Sequence, residues 1–298
     1  MSALAERISE KSAVAVHPAI AEFAARLAIE AGALAVLFYG SNLRTGLLEG
    51  VLDYYVLLPG EQQEKIWPRV SYREWDNQGE TLRAKIATMS LAQFAKAASG
   101  QSRDTTIWAR FVQPSALVWA RDGDATAQTF DALGDAAKTA ARLAVALGPP
   151  SGTADDYWRA LFRATYKAEF RVEKAGREDS ILSVNAAHFD GLLPLALDAQ
   201  GIAFDEVGGR LTLKLTDSAR RETLSWWSRR QRLGKALNIL RLLKASTTFD
   251  GAARYAAWKV ERHTGVPIEV TPWREKHPVL AAPGVLFKVW REQKKQQS

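Results

Sequence analysis

One stretch of the chain, Ala35 to Leu58, constrains the fold more than any other. It reads AVLFYGSNLRTGLLEGVLDYYVLL. The pattern predicts a hydrophobic strand over Ala35 to Tyr39, a turn at Gly40-Ser41, an irregular connection and a second hydrophobic strand led by Asp53. A Gly-Ser pair after a strand also occurs in ordinary loops. However, apolar residues flank Asp53 on both sides, and a buried carboxylate without a partner is costly. We therefore expect Asp53 to face a metal ion or a cation, with this strand-turn-strand as the catalytic centre.

Composition limits the class of protein. The chain has 298 residues, 47% of them hydrophobic, which is enough for one large globular domain or two modest ones. It has no cysteine, which excludes disulfides, thiolate zinc sites and cysteine nucleophiles, and its four histidines are scattered. No apolar run approaches the roughly 20 residues that span a bilayer, and the N-terminus lacks the apolar core of a signal peptide. We expect a cytoplasmic protein whose membrane contact is peripheral.

Positive charge is concentrated in the last part of the chain. The net charge is +7, and residues 216–298 contain 17 Lys and Arg against 7 Asp and Glu. This excess indicates an anionic partner, which is nucleic acid, nucleotide phosphate or an acidic membrane. The alternative is a set of solvated helix faces.

Two further strands and several helices are predicted around the opening stretch. Alternating hydrophobicity predicts strands over Thr81 to Met89 and Ala116 to Ala120, and residues 1–32 have helical spacing. The polar, aromatic-rich segment 61–80 is predicted to be irregular. The N-terminal part therefore predicts an α/β (α+β) fold with a mixed sheet.

A proline pair is predicted to divide the chain. Gly148-Pro149-Pro150 ends a long Ala-rich helix and predicts a boundary between domains at 1–148 and 151–283. The pattern beyond the boundary is almost wholly helical. Residues 284–298 are predicted to form a basic amphipathic tail.

Three separated stretches resemble a known family. They are FYGSN with the single-acid strand DYYVLL, the stretch from Lys85 to Pro114, and TYKAEFR at Thr165 to Arg171. On these stretches the chain resembles the peripheral-membrane phosphatidate cytidylyltransferases of the mitochondrial translocator-maintenance type. That family makes CDP-diacylglycerol on a nucleotidyltransferase fold. Order and spacing agree over about residues 35–180.

The chain departs from the family pattern at a few positions. Ala109 and Ala168 stand where the family has glycine, and Glu169 replaces an aspartate. Tyr55 takes the position where the wider nucleotidyltransferase superfamily usually has a second acid, two residues after the first. The second metal ligand must then come from elsewhere, or the metal chemistry has been lost.

The resemblance implies a role for each matching residue. Asp53 and Glu169 would hold Mg²⁺, and Lys85 would act with them as a catalytic electrostatic clamp on CTP. The implied nucleotide contacts are Gly40, Ser41, Asn42, Arg110, Tyr166, Lys167 and Arg171. Simpler roles stay open: Lys85 as a snorkelling strand lysine, Arg110 as a charge at a helix C-terminus, and Glu169 as an ion-pair partner of Arg171 or Lys174.

A lipid substrate would require contact with a membrane surface. The predicted contacts lie in the tail and are Phe287, Lys288, Trp290, Arg291, Lys294 and Lys295. Basic residues near Trp226-Trp227 suit the same anionic surface, or else pack in the core and on a solvated face. The expected partners are CTP and an anionic phospholipid at the inner face of the cell membrane, and nucleic acid is not expected.

Two other functions remain open. One is a nucleotidyltransferase that modifies a soluble, protein or RNA acceptor. The other is a catalytically inactive nucleotide-binding module, which Tyr55 in place of an acid would explain.

Overall fold

A computed structural model describes most of the chain. The described residues are 2–168, 177–248, 251–276, 281, 283–285, 287 and 290–292. The elements up to residue 147 are α1 (Ala3–Ser12), α2 (Pro18–Ala31), β1 (Ala35–Tyr39), α3 (Ser41–Thr45), β2 (Leu52–Leu58), β3 (Arg69–Asn77), β4 (Glu80–Ser90), α4 (Leu91–Ala98), α5 (Thr106–Phe111), β5 (Ser115–Ala120) and α6 (Gly123–Leu147). The later elements are β6 (Ser151–Thr153), α7 (Ala154–Ala168), α8 (Arg177–Val184), α9 (Ala186–Phe189), α10 (Leu192–Asp198), β7 (Phe204–Val207), β8 (Arg210–Leu213), α11 (Asp217–Thr248), α12 (Ala252–Thr264) and α13 (Pro272–Lys276).

The α/β fold with a mixed sheet is confirmed. Five strands form one sheet in the order β3-β4-β2-β1-β5. The β2 and β4 strands are parallel, and every other neighbouring pair in this sheet is antiparallel. The four strands expected from the sequence are all present, and β2 lies at the centre of the sheet.

The prediction of an irregular segment at 61–80 is wrong over much of its length. Residues Arg69–Asn77 form β3, an edge strand that pairs with β4 through a tight turn at Gln78-Gly79. One face of this strand is largely exposed, so its sequence, RVSYREWDN, carries many polar residues. An edge strand needs fewer apolar positions than a central one, which is why hydrophobic alternation did not reveal it.

Helices cover both faces of the sheet. Helix α2 packs on one face, where Phe38, Tyr54 and Val56 are buried. The Tyr54 hydroxyl donates a hydrogen bond to the Ile20 carbonyl (3.0 Å), which ties β2 to this helix. Helices α4, α5 and α6 pack on the opposite face against Leu37, Tyr55, Leu57 and other residues. The odd-numbered residues of β2 therefore face α4, α5 and α6.

The segments before and after Pro149-Pro150 share one hydrophobic core. Helix α6 contacts α4 and α5 as well as α7, α10 and α11. Trp158 and Leu193 from the later segment are fully buried in the same cluster as Phe94 and Trp108. The division into domains at 1–148, 151–283 and 284–298 stays a prediction.

The later segment is not wholly helical. A small antiparallel sheet in the order β6-β8-β7 is formed by strands of three or four residues. The turn between β7 and β8 is Gly208-Gly209, where both residues have positive φ. Strands this short carry too few residues for alternation to be recognised, so the sequence did not predict this sheet.

Candidate active site

Two of the three predicted catalytic residues, Asp53 and Lys85, lie in one row across the middle of the sheet. Asp53 on β2 pairs with Tyr39 on β1 and with Lys85 on β4. Paired residues of neighbouring strands point to the same face, so the three side chains share the face that α4, α5 and α6 cover. The fold thus brings Asp53 and Lys85 together, and their predicted catalytic roles stay predictions.

The turn after β1 places backbone beside the Asp53 carboxylate. Gly40 has φ 93° and ψ −162°, a conformation that side chains rarely adopt. A Cβ atom at this position would lie 3.0 Å from Oδ2 of Asp53. Only glycine therefore lets the chain turn this close to the carboxylate.

The Asp53 carboxyl is half-buried between cations. Burial raises its pKa above the ordinary value, and the charges of Lys85 and Arg110 act in the opposite direction. The anionic form therefore carries a desolvation cost that the two neighbouring cations partly offset. A carboxylate in this state gains from any further positive charge, such as a metal ion that arrives with a substrate.

Arg110 reaches this site from the end of α5. Its Nη1 donates a hydrogen bond to the Tyr39 hydroxyl (2.9 Å), and its guanidinium carbon lies 5.2 Å from the centre of the Tyr39 ring. These contacts hold the guanidinium over the row that contains Asp53. Arg110 thus faces the site in addition to lying at a helix C-terminus, and its role as a nucleotide contact stays a prediction.

A cleft of about 190 Å³ opens beside this row. Gly40, Ser41 and Arg110, three of the predicted nucleotide contacts, line it. The sequence analysis missed several other lining residues, which include Arg44, Gln113, Ser180, Ile181, Val184 and Asn185. Arg44 lies only three residues after Ser41 and could have been noticed for that reason. The residues on α8 and just after it carry no recognisable motif.

Asn42 has a different position from the one expected of a nucleotide contact. It is 7% exposed, and its Nδ2 donates to the carbonyls of Leu47 and Glu49 (both 2.8 Å). Its amide therefore braces the connection between α3 and β2. This contact positions the turn, and a direct role for Asn42 with a ligand stays a prediction.

Tyr55 occupies the position of the missing second acid as part of the core. It is 2% exposed, and its ring packs against those of Tyr39, Phe94 and Phe111. An acid in this apolar surrounding would be strongly disfavoured. The site is thus built around one aspartate on β2.

The remaining predicted site residues lie on α7 or beyond the described part. Tyr166 packs at the edge of the main core, and Lys167 is exposed. Glu169 and Arg171 fall in the segment 169–176, outside the described residues. Their predicted roles as a metal ligand and a nucleotide contact stay predictions.

The described donor set fits a metal ion that is shared with a substrate. No group of three or more Asp, Glu, His or Cys residues lies together among the residues that the structure describes. Mg²⁺ commonly takes one or two carboxylates and completes its shell with substrate phosphates and water. Asp53 suits that mode, because it is a single half-buried carboxylate beside a cleft.

The tail is described only in part. Phe287 and Trp290 are 62% and 57% exposed, and their ring centres lie 5.9 Å apart. Arg291 is also exposed, whereas Lys288, Lys294 and Lys295 are outside the described residues. Within the described chain, no single helix is both long and apolar enough to cross a membrane; one pair bent by 82°, Glu178–Val184 with Ala186–Asp198, passes the same test jointly.

Comparison with known proteins does not assign the chain to a family. No protein-family model matches it, and no curated protein matches it significantly. A proposal about function therefore rests on the geometry of the Asp53 site and its cleft.

Proposed function

We propose that this protein is a Mg²⁺-dependent cytidylyltransferase that transfers CMP from CTP to phosphatidate or a related lipid phosphate. The products would be a CDP-lipid and pyrophosphate. The observation that carries the proposal is the row of Asp53 and Lys85, with Arg110 above it, next to the glycine turn and the cleft. The resemblance to phosphatidate cytidylyltransferases rests on these same positions.

The residues present suit the transfer of a nucleotidyl group. A phosphate oxygen of the lipid attacks the α-phosphorus of CTP, and the bond to the β-phosphate breaks as pyrophosphate leaves. Such reactions need mainly positioning and neutralisation of charge. Arg44 and Arg110 line the cleft with two positive charges, and Lys85 adds a third beside Asp53 in the sheet. Guanidinium groups bind phosphate oxygens in pairs.

Asp53 would hold the metal, and Glu169 is the predicted second ligand. When bound, Mg²⁺ would neutralise charge on the phosphate oxygens of the nucleotide. The Gly40-Ser41 turn would approach the triphosphate with its backbone, because no side chain at Gly40 blocks the way.

The lipid acceptor is proposed from the resemblance and from the tail. Two large aromatic side chains, Phe287 and Trp290, are exposed next to a basic segment. This combination is typical of segments that lie at a membrane surface. We accordingly propose a peripheral association with the cytoplasmic face of the membrane.

The test is turnover of radiolabelled CTP with phosphatidate in mixed micelles, with and without Mg²⁺, beside parallel reactions with ATP, GTP and UTP. We expect a CDP-lipid that forms only with Mg²⁺ and that disappears in Asp53→Asn, with a rate loss of at least about 100-fold. Asp131→Asn is the matched control, since Asp131 is an exposed carboxylate on α6 away from the cleft. It should retain full activity.

Other outcomes would favour the alternatives. Nucleotide binding without a lipid product would point to a soluble, protein or RNA acceptor. A folded protein that binds no triphosphate would refute the proposal. It would also exclude the inactive nucleotide-binding module. Calorimetric titration of CTP against wild type and Lys85→Met separates these cases, because Lys85 should contribute to binding whichever acceptor is used.

A further inference from the structure

Four arginines from three segments gather around Arg230, away from the cleft, and two of them pack near Trp226. Arg103 precedes α5, Arg142 lies on α6, and Arg229 and Arg230 lie on α11. The guanidinium carbons of Arg142 and Arg230 are 5.3 Å and 4.1 Å from the centre of the Trp226 ring. None of these residues lines the cleft beside Asp53. This arginine cluster is therefore separate from the candidate active site.

Arg230 is held in one orientation by backbone carbonyls. Its Nη2 donates to the Gly100 carbonyl (2.7 Å), its Nε to that of Ser102 (3.0 Å) and its Nη1 to that of Trp226 (3.2 Å). A guanidinium group has five N–H donors, so two remain after these three bonds. Arg230 is thus fixed in place with donors still available.

Arg142 makes no hydrogen bond to the described residues. Its Nε is buried without an acceptor, and its guanidinium packs near Trp226. A buried donor without a partner is costly, and natural proteins contain few of them. An arginine with this many unused donors beside other arginines is an arrangement that an anion would complete.

The charge of Arg230 is surrounded by like charges. Burial, together with repulsion from Arg229, Arg142 and Arg103, lowers the pKa of Arg230 to about 10. Among the described residues, no acid counts among the causes of this shift. Grouped like charges destabilise a fold, so their presence at a half-buried position indicates a function.

We propose that Arg103, Arg142, Arg229 and Arg230 form a second anion-binding site, which takes a phosphate group from a membrane lipid or from a soluble molecule. Guanidinium groups match the geometry of phosphate oxygens and bind them in a bidentate manner. Helix α5 lies between this site and the cleft. The ring centres of Trp108 on α5 and Trp226 are 6.0 Å apart, and Arg110 on the same helix faces the cleft. A ligand at the cluster would therefore press on an element that also positions the active site.

The Trp226 side chain offers a local readout. Its Nε1 donates to the Gly100 carbonyl (3.2 Å), next to the bond from Arg230. The indole N–H resonance, assigned with Trp226→Phe, can be followed by NMR while inorganic phosphate is added to the full chain. Flotation with phosphatidylcholine vesicles, with and without phosphatidate, tests the lipid source in parallel.

The variants are chosen to remove charge and keep the fold. Arg142→Gln/Arg229→Gln leaves Arg230 and its backbone contacts intact, and Arg103→Gln/Arg229→Gln changes only exposed side chains if the first pair does not fold. Arg26→Gln is the control, because Arg26 also packs near a tryptophan but lies elsewhere. Its guanidinium carbon is 4.5 Å from the centre of the Trp75 ring, on the face of the sheet that α2 covers.

We expect both double variants to weaken binding at least tenfold, and Arg26→Gln to bind as wild type does. A response of the Trp226 resonance to phosphate without flotation would support a soluble source. Flotation that requires phosphatidate and the cluster would support a lipid source. If neither probe distinguishes the double variants from Arg26→Gln, the second site does not exist.

Discussion

Substitution of Gly40 by alanine tests how closely the turn and the Asp53 carboxylate are packed. The new Cβ would lie 3.0 Å from Oδ2 of Asp53, at a backbone conformation (φ 93°, ψ −162°) that is almost exclusive to glycine. The backbone strain alone costs about 1–3 kcal/mol. If Asp53 must leave its rotamer to relieve the contact, a further 0.5–1.5 kcal/mol or so is lost.

The control separates these two contributions. Gly79, in the turn between β3 and β4, has a similar φ of 88°, and a Cβ there would have no neighbour within 4 Å. We expect Gly40→Ala to lower the free energy of unfolding by about 1 kcal/mol more than Gly79→Ala does, since only Gly40 adds a contact with Asp53. Urea unfolding followed by circular dichroism measures both values.

A double-mutant cycle then identifies the partner. In an Asp53→Ala background the close contact with Oδ2 is absent, so Gly40→Ala should cost about 1 kcal/mol less than it does in wild type. Nucleotide turnover should fall in Gly40→Ala and stay unchanged in Gly79→Ala. Equal losses of stability in the two glycine variants, with no coupling to Asp53, would refute the reasoning.

Two other predictions concern titratable groups. Burial raises the folded-state pKa of Asp53 above its ordinary value of 3.8, so wild-type stability declines as pH rises from 3.8 through the raised pKa. Asp53→Asn should lack this decline and be more stable than wild type at pH 7 by about 1 kcal/mol. The control, Asp131→Asn, should differ little from wild type. Unchanged stability of Asp53→Asn would count against a desolvated carboxylate. Burial lowers the pKa of His188 to about 4, while its Nε2 bonds the Val112 carbonyl (2.8 Å). Stability should therefore fall by about 2 kcal/mol as pH drops from 6.5 toward 4, and acid unfolding of His188→Gln should show a smaller fall over that range.

The strands that build the site were predictable from sequence because they are central. β1 and β2 are apolar on both faces, so continuous hydrophobic runs identified them, and the single interruption at Asp53 marked the site. The position of Lys85 on β4 followed from alternation. Its pairing with Asp53 did not follow, since register between distant strands depends on the whole sheet.

Features that depend on long-range packing were missed. The cleft receives one wall from Ser180, Ile181 and Val184, far along the chain from the Gly40 turn. The cluster around Trp226 likewise joins α6, α11 and the segment before α5. The sequence indicated that the basic residues near Trp226-Trp227 suit an anionic surface. Their meeting with Arg103 and Arg142 depends on packing between distant segments. Among the described residues, no acid contributes to the pKa of Arg230.

The pairing of Asp53 with Lys85 has a consequence for folding as well as for chemistry. The β2 and β4 strands are parallel and distant in sequence, so no hairpin turn sets their alignment. If β2 were shifted by one residue, the Asp53 carboxylate would point into the apolar layer under α2, among Phe38, Tyr54 and Val56. The Asp53 and Lys85 side chains would therefore make a misaligned pairing of β2 with β4 unfavourable during folding. Replacement of Asp53 by an apolar residue would therefore remove this constraint on strand alignment along with the proposed metal ligand.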